Sequence, residues 1–216
     1  MYSIYNIKDN DHRKVIKMRL YKFFKRLCDI LFSALGIIVC TPIMLVLCVI
    51  CAADTHALPL FLQERVGRNG RTFKIIKLRT MKRTAPSGTP ARDIPEEGHV
   101  SHLGAWLRKS GIDERPQLYN IFAGQMSFVG PRPLMLTEGR LHKQRHELGV
   151  YRVRPGLTGL AQIRSDSIGS TEEKARIDSE YVENISFSMD VKIILSTIKL
   201  IFCGKHIDEH FHSPKE

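Results

Sequence analysis

No repeat or low-complexity tract divides these 216 residues, and the sequence contains no P-loop, GxGxxG, GxSxG or HExxH pattern. The commonest nucleotide-binding and hydrolase folds are therefore poor fits. Cysteine is scarce and oddly placed: of five residues, Cys28, Cys40, Cys48 and Cys51 lie within or beside one apolar run, and only Cys203 lies elsewhere. Such spacing makes neither a disulfide framework nor a zinc ribbon nor a redox CxxC, so these side chains read as small hydrophobes in a reducing compartment. Acidic residues are in deficit, 22 against 33 Lys and Arg, which leaves a net charge of +11. That balance points to a polyanionic partner, whether nucleic acid, an anionic lipid surface or a phosphorylated small molecule. Hydrophobic content of 43% with 8% aromatics is ordinary for a folded chain and excludes wholesale disorder.

Charge is missing altogether from residues 30–53. A hydrocarbon core takes about 20 apolar residues to cross, so a membrane segment follows. The run is too long, and its basic lead-in too extended, for a cleaved signal peptide. Arg13, Lys14, Lys17, Arg19, Lys22, Lys25 and Arg26 precede it, and Arg65, Arg68, Arg71, Lys74, Lys77 and Arg79 follow it. Both flanks satisfy the positive-inside rule if the segment enters and leaves by the same face. Thr41-Pro42 stands near its middle, where the proline removes a backbone donor and the threonine hydroxyl helps satisfy its neighbours, permitting a sharp bend. Length and one proline equally describe a kinked spanning helix; the flanks pull toward the re-entrant path without excluding the other.

The remainder reads as helix-rich α+β. Residues 60–64 and 72–78 flank Gly67-Arg68-Asn69-Gly70, and Asn-Gly between apolar stretches predicts a β-hairpin. Residues 82–98, rich in Pro, Gly and Thr, predict a loop. Apolar spacing predicts helices over 99–109, from Asp113 with Pro116 in the first turn, over 138–148, over 171–184 behind a Ser170-x-x-Glu173 capping box, and over 189–203. The last could pack in a core or lie on a bilayer. The implied division is a basic tail and lead-in helix (1–24), a membrane segment (25–54), a catalytic domain (55–204) and a tail (205–216).

Two patterns could carry chemistry. Asp113-Glu114 opens a predicted helix, where acidic residues commonly just cap backbone donors. Arg108 precedes it, however, and Gly130-Pro131-Arg132-Pro133 follows. Prolines on both sides of Arg132 restrict its backbone, which suits a guanidinium aimed at phosphate, although an ion pair in a turn explains it equally well. Asp9-Asn10-Asp11 resembles a metal-binding DxD but sits in a polar stretch ahead of the membrane segment. His142 with His146, and His206, His210 and His212, lack a further ligand at fitting spacing and read as solvated surface.

Taken in order, Lys25-Arg26 with Asp29, Thr41-Pro42, Gln63-x-Arg65-Val66-Gly67-Arg68-Asn69-Gly70, Lys77-Leu78-Arg79-Thr80-Met81, Leu107-Arg108-Lys109, Asp113-Glu114-Arg115-Pro116-Gln117-Leu118-Tyr119-Asn120, Met126-Ser127-Phe128-Val129-Gly130-Pro131-Arg132-Pro133, Arg154-Pro155-Gly156-Leu157-Thr158-Gly159-Leu160-Ala161-Gln162, and Asp178 with Tyr181-Val182 resemble the small monotopic phosphoglycosyl transferases, the bacterial sugar transferases. The resemblance runs from about Lys25 to Phe202. It implies a re-entrant helix-break-helix at the cytoplasmic face of a bacterial inner membrane, bent at Thr41-Pro42. It implies a UDP-sugar donor and a polyprenyl phosphate acceptor, with inner-membrane lipid as surroundings, no nucleic acid, and a homo-oligomer neither required nor excluded. In that scheme Asp113 attacks the phosphate next to the sugar, UMP leaves, and the aspartyl-phosphosugar passes to polyprenyl phosphate. Glu114 would bind Mg2+, and Arg132 between Pro131 and Pro133, with Arg79, Arg108, Arg154 and Gln162, would hold phosphates or uridine. Gln125, Arg115 and the stretch Arg164 to Ser167 with Thr171 depart from the family pattern, in regions suited to nucleotide or sugar recognition. Two other functions fit parts of the sequence: a membrane-anchored basic protein that binds nucleic acid or anionic lipid, and a glycosyltransferase that releases UDP. The first lacks the aromatic interleaving and signatures of nucleic-acid binders.

Overall fold

The computed structural model describes residues 2–84, 99–165 and 168–203, with the side chains of residues 2–17 outside that description. The predicted loop at 82–98 and the histidines of the C-terminal tail fall largely or wholly outside it. One helix, α1 (Tyr2–Thr55), carries the basic lead-in and the entire apolar run, including Pro42. The expected break at Thr41-Pro42 is therefore not a gap in helical structure. Thr41 Oγ1 donates to Ile37 O at 2.6 Å, which occupies a backbone acceptor one turn before the proline. Asp9-Asn10-Asp11 lies within this helix rather than in an extended tail.

Strands β1 (Leu60–Val66) and β2 (Thr72–Leu78) pair antiparallel, with Leu60 opposite Leu78 and Val66 opposite Thr72. Asn69 and Gly70 both take positive φ, 58° and 73°, the turn geometry their dipeptide favours. Helix α2 (His102–Ser110) starts under a Ser101 cap and ends at Gly111, which is left-handed. A single 3-10 turn, Ile112–Glu114, follows, and α3 (Gln117–Phe122) begins only after Pro116. The sequence predicts one helix from Asp113 onward; Pro116, without an N–H, separates the turn from α3.

The short strands β3 (Ser127–Val129) and β4 (Gly156–Thr158) form a parallel pair that the sequence did not announce. A Cβ on Gly130, Gly156 or Gly159 would run into backbone of the neighbouring segment, so the Gly-Pro-Arg-Pro and Arg-Pro-Gly-Leu-Thr-Gly runs meet main chain to main chain. Between the strands lies α4 (Gly139–Glu147); α5 (Leu160–Ile163), α6 (Thr171–Glu183) and α7 (Phe187–Phe202) complete the chain. In α6, Ser170 Oγ accepts from Glu173 N as expected, while Glu173 reaches back to Gly169 N rather than to its own cap.

The domain packs along much of α1. Met18 and Tyr21 join the core around Val129, Tyr181 and Ile193; Ile37 and Cys40 join Leu118, Ile121 and Met126; Cys51 packs with Leu78 and Leu107. The side of α1 turned away from it leaves Leu31, Leu35, Ile38, Val39, Val46 and Val49 exposed, and α7 exposes Leu195, Ile198 and Ile201. Met18–Thr55 is long and apolar enough to cross a membrane. Such a continuous apolar face has no stable place in water, so the chain is membrane-associated.

Candidate active site

The acidic pair sits beside the end of the membrane helix. Ile112 packs into the cluster of Cys51, Leu78 and Leu107. This fixes the turn carrying Asp113 and Glu114 against the C-terminal part of α1. Asp113 is buried. Glu114 faces a narrow cleft shared with Arg65, Ile75, Lys77, Gln117, Arg132, Pro133, Gly156 and Leu157. Lys77 Nζ lies 2.5 Å from Glu114 Oε1. Gln117 is 2% exposed and its Nε2 has no hydrogen-bond partner, so the cleft holds an amide donor in want of an acceptor.

Arg132 is mounted with unusual completeness. Pro131 O accepts from Gly156 N at 3.0 Å and Arg132 O from Arg145 Nη1 at 2.7 Å. Pro133 O accepts from Arg65 Nη1 at 3.1 Å and Leu134 O from Val66 N at 3.0 Å. Four consecutive carbonyls are thus tied to β4, α4 and the hairpin, while the two prolines have no N–H to satisfy. Arg145 is itself held by Asp178, which accepts from both Nε and Nη2, and both residues are fully buried. Lys174 stands near this pair; burial, reinforced by Arg145, pushes its pKa down to about 8.

Not all the expected ligands gather here. Arg79 Nε donates to Leu58 O and its guanidinium stacks on Phe61; Arg108 Nε donates to Thr80 Oγ1; Arg154 Nε donates to Gly124 O; Gln162 Nε2 donates to Leu157 O. None of the four lines the cleft, and Pro131 contributes only its carbonyl. Conversely, Arg65, Lys77 and Gln117 belong to the strings that carry the family likeness, yet the sequence gives them no site role. Strand alternation carries the missing signal, because Ile75 and Lys77 share a face of β2. His142 is another revision: it bonds Tyr151 Oη and Met135 O and is half-buried, whereas His146 is exposed.

The cleft has room for about one water, roughly 10 Å³. Lys77 and Glu114, in contact with each other, close part of its width. Three cationic side chains and an amide donor around one carboxylate, with Asp113 next to it in sequence, suit a substrate with several acidic oxygens, such as a diphosphate. Among the described residues no cluster of three or more His, Cys, Asp and Glu could hold a metal by itself. Glu114 alone fits Mg2+, which binds through as few as one carboxylate and keeps water and substrate oxygens for its other positions.

The profile of the bacterial sugar transferase family matches residues 20–204. The chain belongs to that family. This sugar transferase is 33% identical over 193 residues to the uncharacterized sugar transferase EpsL of Bacillus subtilis, covering 89% of this chain and 94% of EpsL. It is 32% identical over 207 residues to a UDP-N-acetylgalactosamine-undecaprenyl-phosphate N-acetylgalactosaminephosphotransferase of Aeromonas hydrophila, covering 94% of this chain and 49% of that one. A UDP-glucose:undecaprenyl-phosphate glucose-1-phosphate transferase of Klebsiella pneumoniae is 33% identical over 189 residues, covering 84% and 41% respectively. The sugar transferase thus spans nearly all of EpsL but half or less of the two relatives whose names state a substrate.

Proposed function

We propose that this transferase moves a sugar 1-phosphate from a UDP-sugar to polyprenyl phosphate at the cytoplasmic face of the inner membrane, through a covalent aspartyl-phosphosugar, and so starts a polysaccharide or glycoconjugate. The observation that carries this reading is the juxtaposition of an acidic pair, at the end of an apolar helix, with a cationic cleft around a rigidly mounted Arg132. The names of the Aeromonas and Klebsiella relatives favour the same donor and acceptor classes.

In this scheme an Asp113 oxygen forms a bond to the phosphorus that bears the sugar, and the bond from that phosphorus to the bridging oxygen of UMP breaks. An oxygen of polyprenyl phosphate then attacks the same phosphorus and frees the Asp113 carboxylate, giving polyprenyl diphosphate-sugar. A carboxylate meets strong repulsion from a diphosphate, so nearby cations set the barrier. Arg132 and Lys77 offset the charge of the transferring phosphate, Arg65 supports Arg132 through Pro133 O, and Gln117 Nε2 donates to a phosphate or sugar oxygen. Bound at Glu114, Mg2+ would supply further neutralisation of the phosphate oxygens.

A path that enters and leaves by one face is favoured by how α1 is held. Near the start of its apolar run, Arg26 donates to Ile121 O and Phe122 O, and Asp29 accepts from Ser127 Oγ and Phe128 N. Past the far end, Asp54 accepts from Ser101 Oγ at 2.5 Å. One polar domain grips both ends, whereas a helix crossing a roughly 30 Å core would carry them to opposite sides. Tags ahead of Tyr2 and after Glu216 should both label from the cytoplasmic side; labelling from opposite faces refutes this path.

The chemical test uses purified protein in nanodiscs with Mg2+, polyprenyl phosphate and a panel of UDP-sugars. The expected nucleotide is UMP, with label from the phosphate next to the sugar retained on protein when acceptor is withheld. Asp113→Asn should abolish that adduct and lower turnover on the order of 10⁴-fold or more, as removal of a covalent nucleophile does. Release of UDP would replace this reading with simple glycosyl transfer.

A further inference from the structure

A second cavity, of about 260 Å³, lies between α1 and α7. Phe24, Cys28 and Phe32 form one stripe of α1 at four-residue spacing, and Phe187, Val191 and Ile194 form a stripe of α7. Phe128 and Val129 of β3 also line it. Its polar members are spent on one another. Asp190 accepts from Tyr21 Oη at 2.6 Å and Lys25 Nζ at 2.5 Å, with Tyr181 Oη 2.8 Å away, and Asp29 accepts from Ser127 Oγ and Phe128 N. What faces the open volume is therefore carbon, and water gains little there; a cavity of about 150 Å³ with such a lining stays dry and takes up benzene.

Its surroundings identify the occupant. Phe24, Phe32 and Phe187 line the cavity yet are 50%, 61% and 62% exposed, so it opens at the surface. On α1 that surface continues into the unpartnered apolar face of Leu31, Leu35 and Ile38, and on α7 into Leu195 and Ile198. Bilayer covers that face, and hydrocarbon is the solvent available at the opening. We propose that the cavity holds one acyl chain of a membrane phospholipid, a bound lipid that fills the seam between α1 and α7. The proposal needs only the membrane association of α1 and is independent of the reaction at Asp113.

The test places a fluorescent reporter in the cavity. In a Trp106→Phe background, which removes the only tryptophan, Phe128→Trp supplies an inner reporter in the lining and Ile38→Trp an outer reporter on the lipid-facing side. Both proteins go into nanodiscs of phospholipid brominated along its acyl chains, a contact quencher. Both reporters should lose emission relative to unbrominated lipid, and adding Val191→Phe to narrow the cavity should restore the inner one alone. An inner reporter that stays bright while the outer one is quenched overturns the proposal, as does inner quenching that Val191→Phe leaves untouched. Recovery of the inner reporter on adding polyprenyl phosphate also overturns it, by assigning the cavity to the acceptor's chain. Should Phe128→Trp fail to fold, a phospholipid with a diazirine in its acyl chain decides the matter on the unaltered protein. Adducts at Cys28 and Phe128 are expected, and adducts confined to the outer face around Ile38 overturn the proposal.

Discussion

Two cation-carboxylate pairs flank the Arg132 segment, and they are built for opposite purposes. Arg145 and Asp178 are 2% and 1% exposed and joined by two hydrogen bonds, while Arg145 Nη1 holds Arg132 O. Lys77 and Glu114 are 17% and 19% exposed, joined by a single contact, and face the cleft. Burial makes the first pair expensive to break, because water cannot take the place of a lost partner. Partial exposure makes the second exchangeable, since water can replace either member and a phosphate can replace Glu114 beside Lys77. The fold thus surrounds one arginine with a fixed mount on one side and a releasable contact on the other.

Breaking the fixed pair should have the largest effect. Arg145→Met leaves Asp178 buried without its guanidinium, and should lower unfolding free energy by about 3–5 kcal/mol in chemical denaturation. A loss under about 1 kcal/mol would show that water reaches this pair. Lys77→Met should instead spare stability, yet cut kcat/KM on the order of 10–100-fold, the loss of one charge-assisted contact to phosphate. With Lys77 gone from Glu114, half-maximal activity should also need less Mg2+, read from a metal titration; a higher requirement would mean that Lys77 helps rather than competes.

Lys174 offers a smaller probe beside the buried pair. Its folded pKa of about 8 lies below the ordinary 10.5, so between those values the unfolded chain binds more protons and stability should rise with pH. The cost of charging it is fully present below pH 8. Lys174→Met should flatten that rise, by on the order of 1–2 kcal/mol across the window. Smallest of all, Arg164→Gln at the exposed pair with Glu180, 43% exposed on each side, should change stability by less than about 1 kcal/mol.

The sequence made some of this visible and hid the rest for physical reasons. Asn69-Gly70 and the apolar strands around it announced the hairpin because that turn needs positive φ at consecutive residues. Basic flanks and the uncharged run announced the membrane helix. β3 and β4 stayed hidden because three-residue strands carry no period, and what holds them together is the contact of Gly130 with Gly156 and Gly159, a long-range event. Glu114 and Arg132 were singled out by the family-like strings, since their own motifs read equally as a helix cap and an ion pair in a turn, and they line one cleft. Arg145 was not, since a basic residue on the charged helix α4 looks solvated until Asp178 arrives from α6. Arg79, Arg108 and Arg154 show the converse: an arginine in a family-like string can serve a carbonyl or hydroxyl of its own chain.

Arg26 caps the last carbonyls of α3, Asp29 orders the start of β3, and Cys51 supports the turn that bears the acidic pair. The apolar helix is thus a structural member of the enzyme as well as its attachment to lipid. Truncating the chain at Thr55 to obtain a water-soluble fragment would strip the C-cap from one helix and the floor from the acidic turn. Solubility is better sought by replacing outward leucines and valines on α1 with polar residues, which leaves its inner face intact.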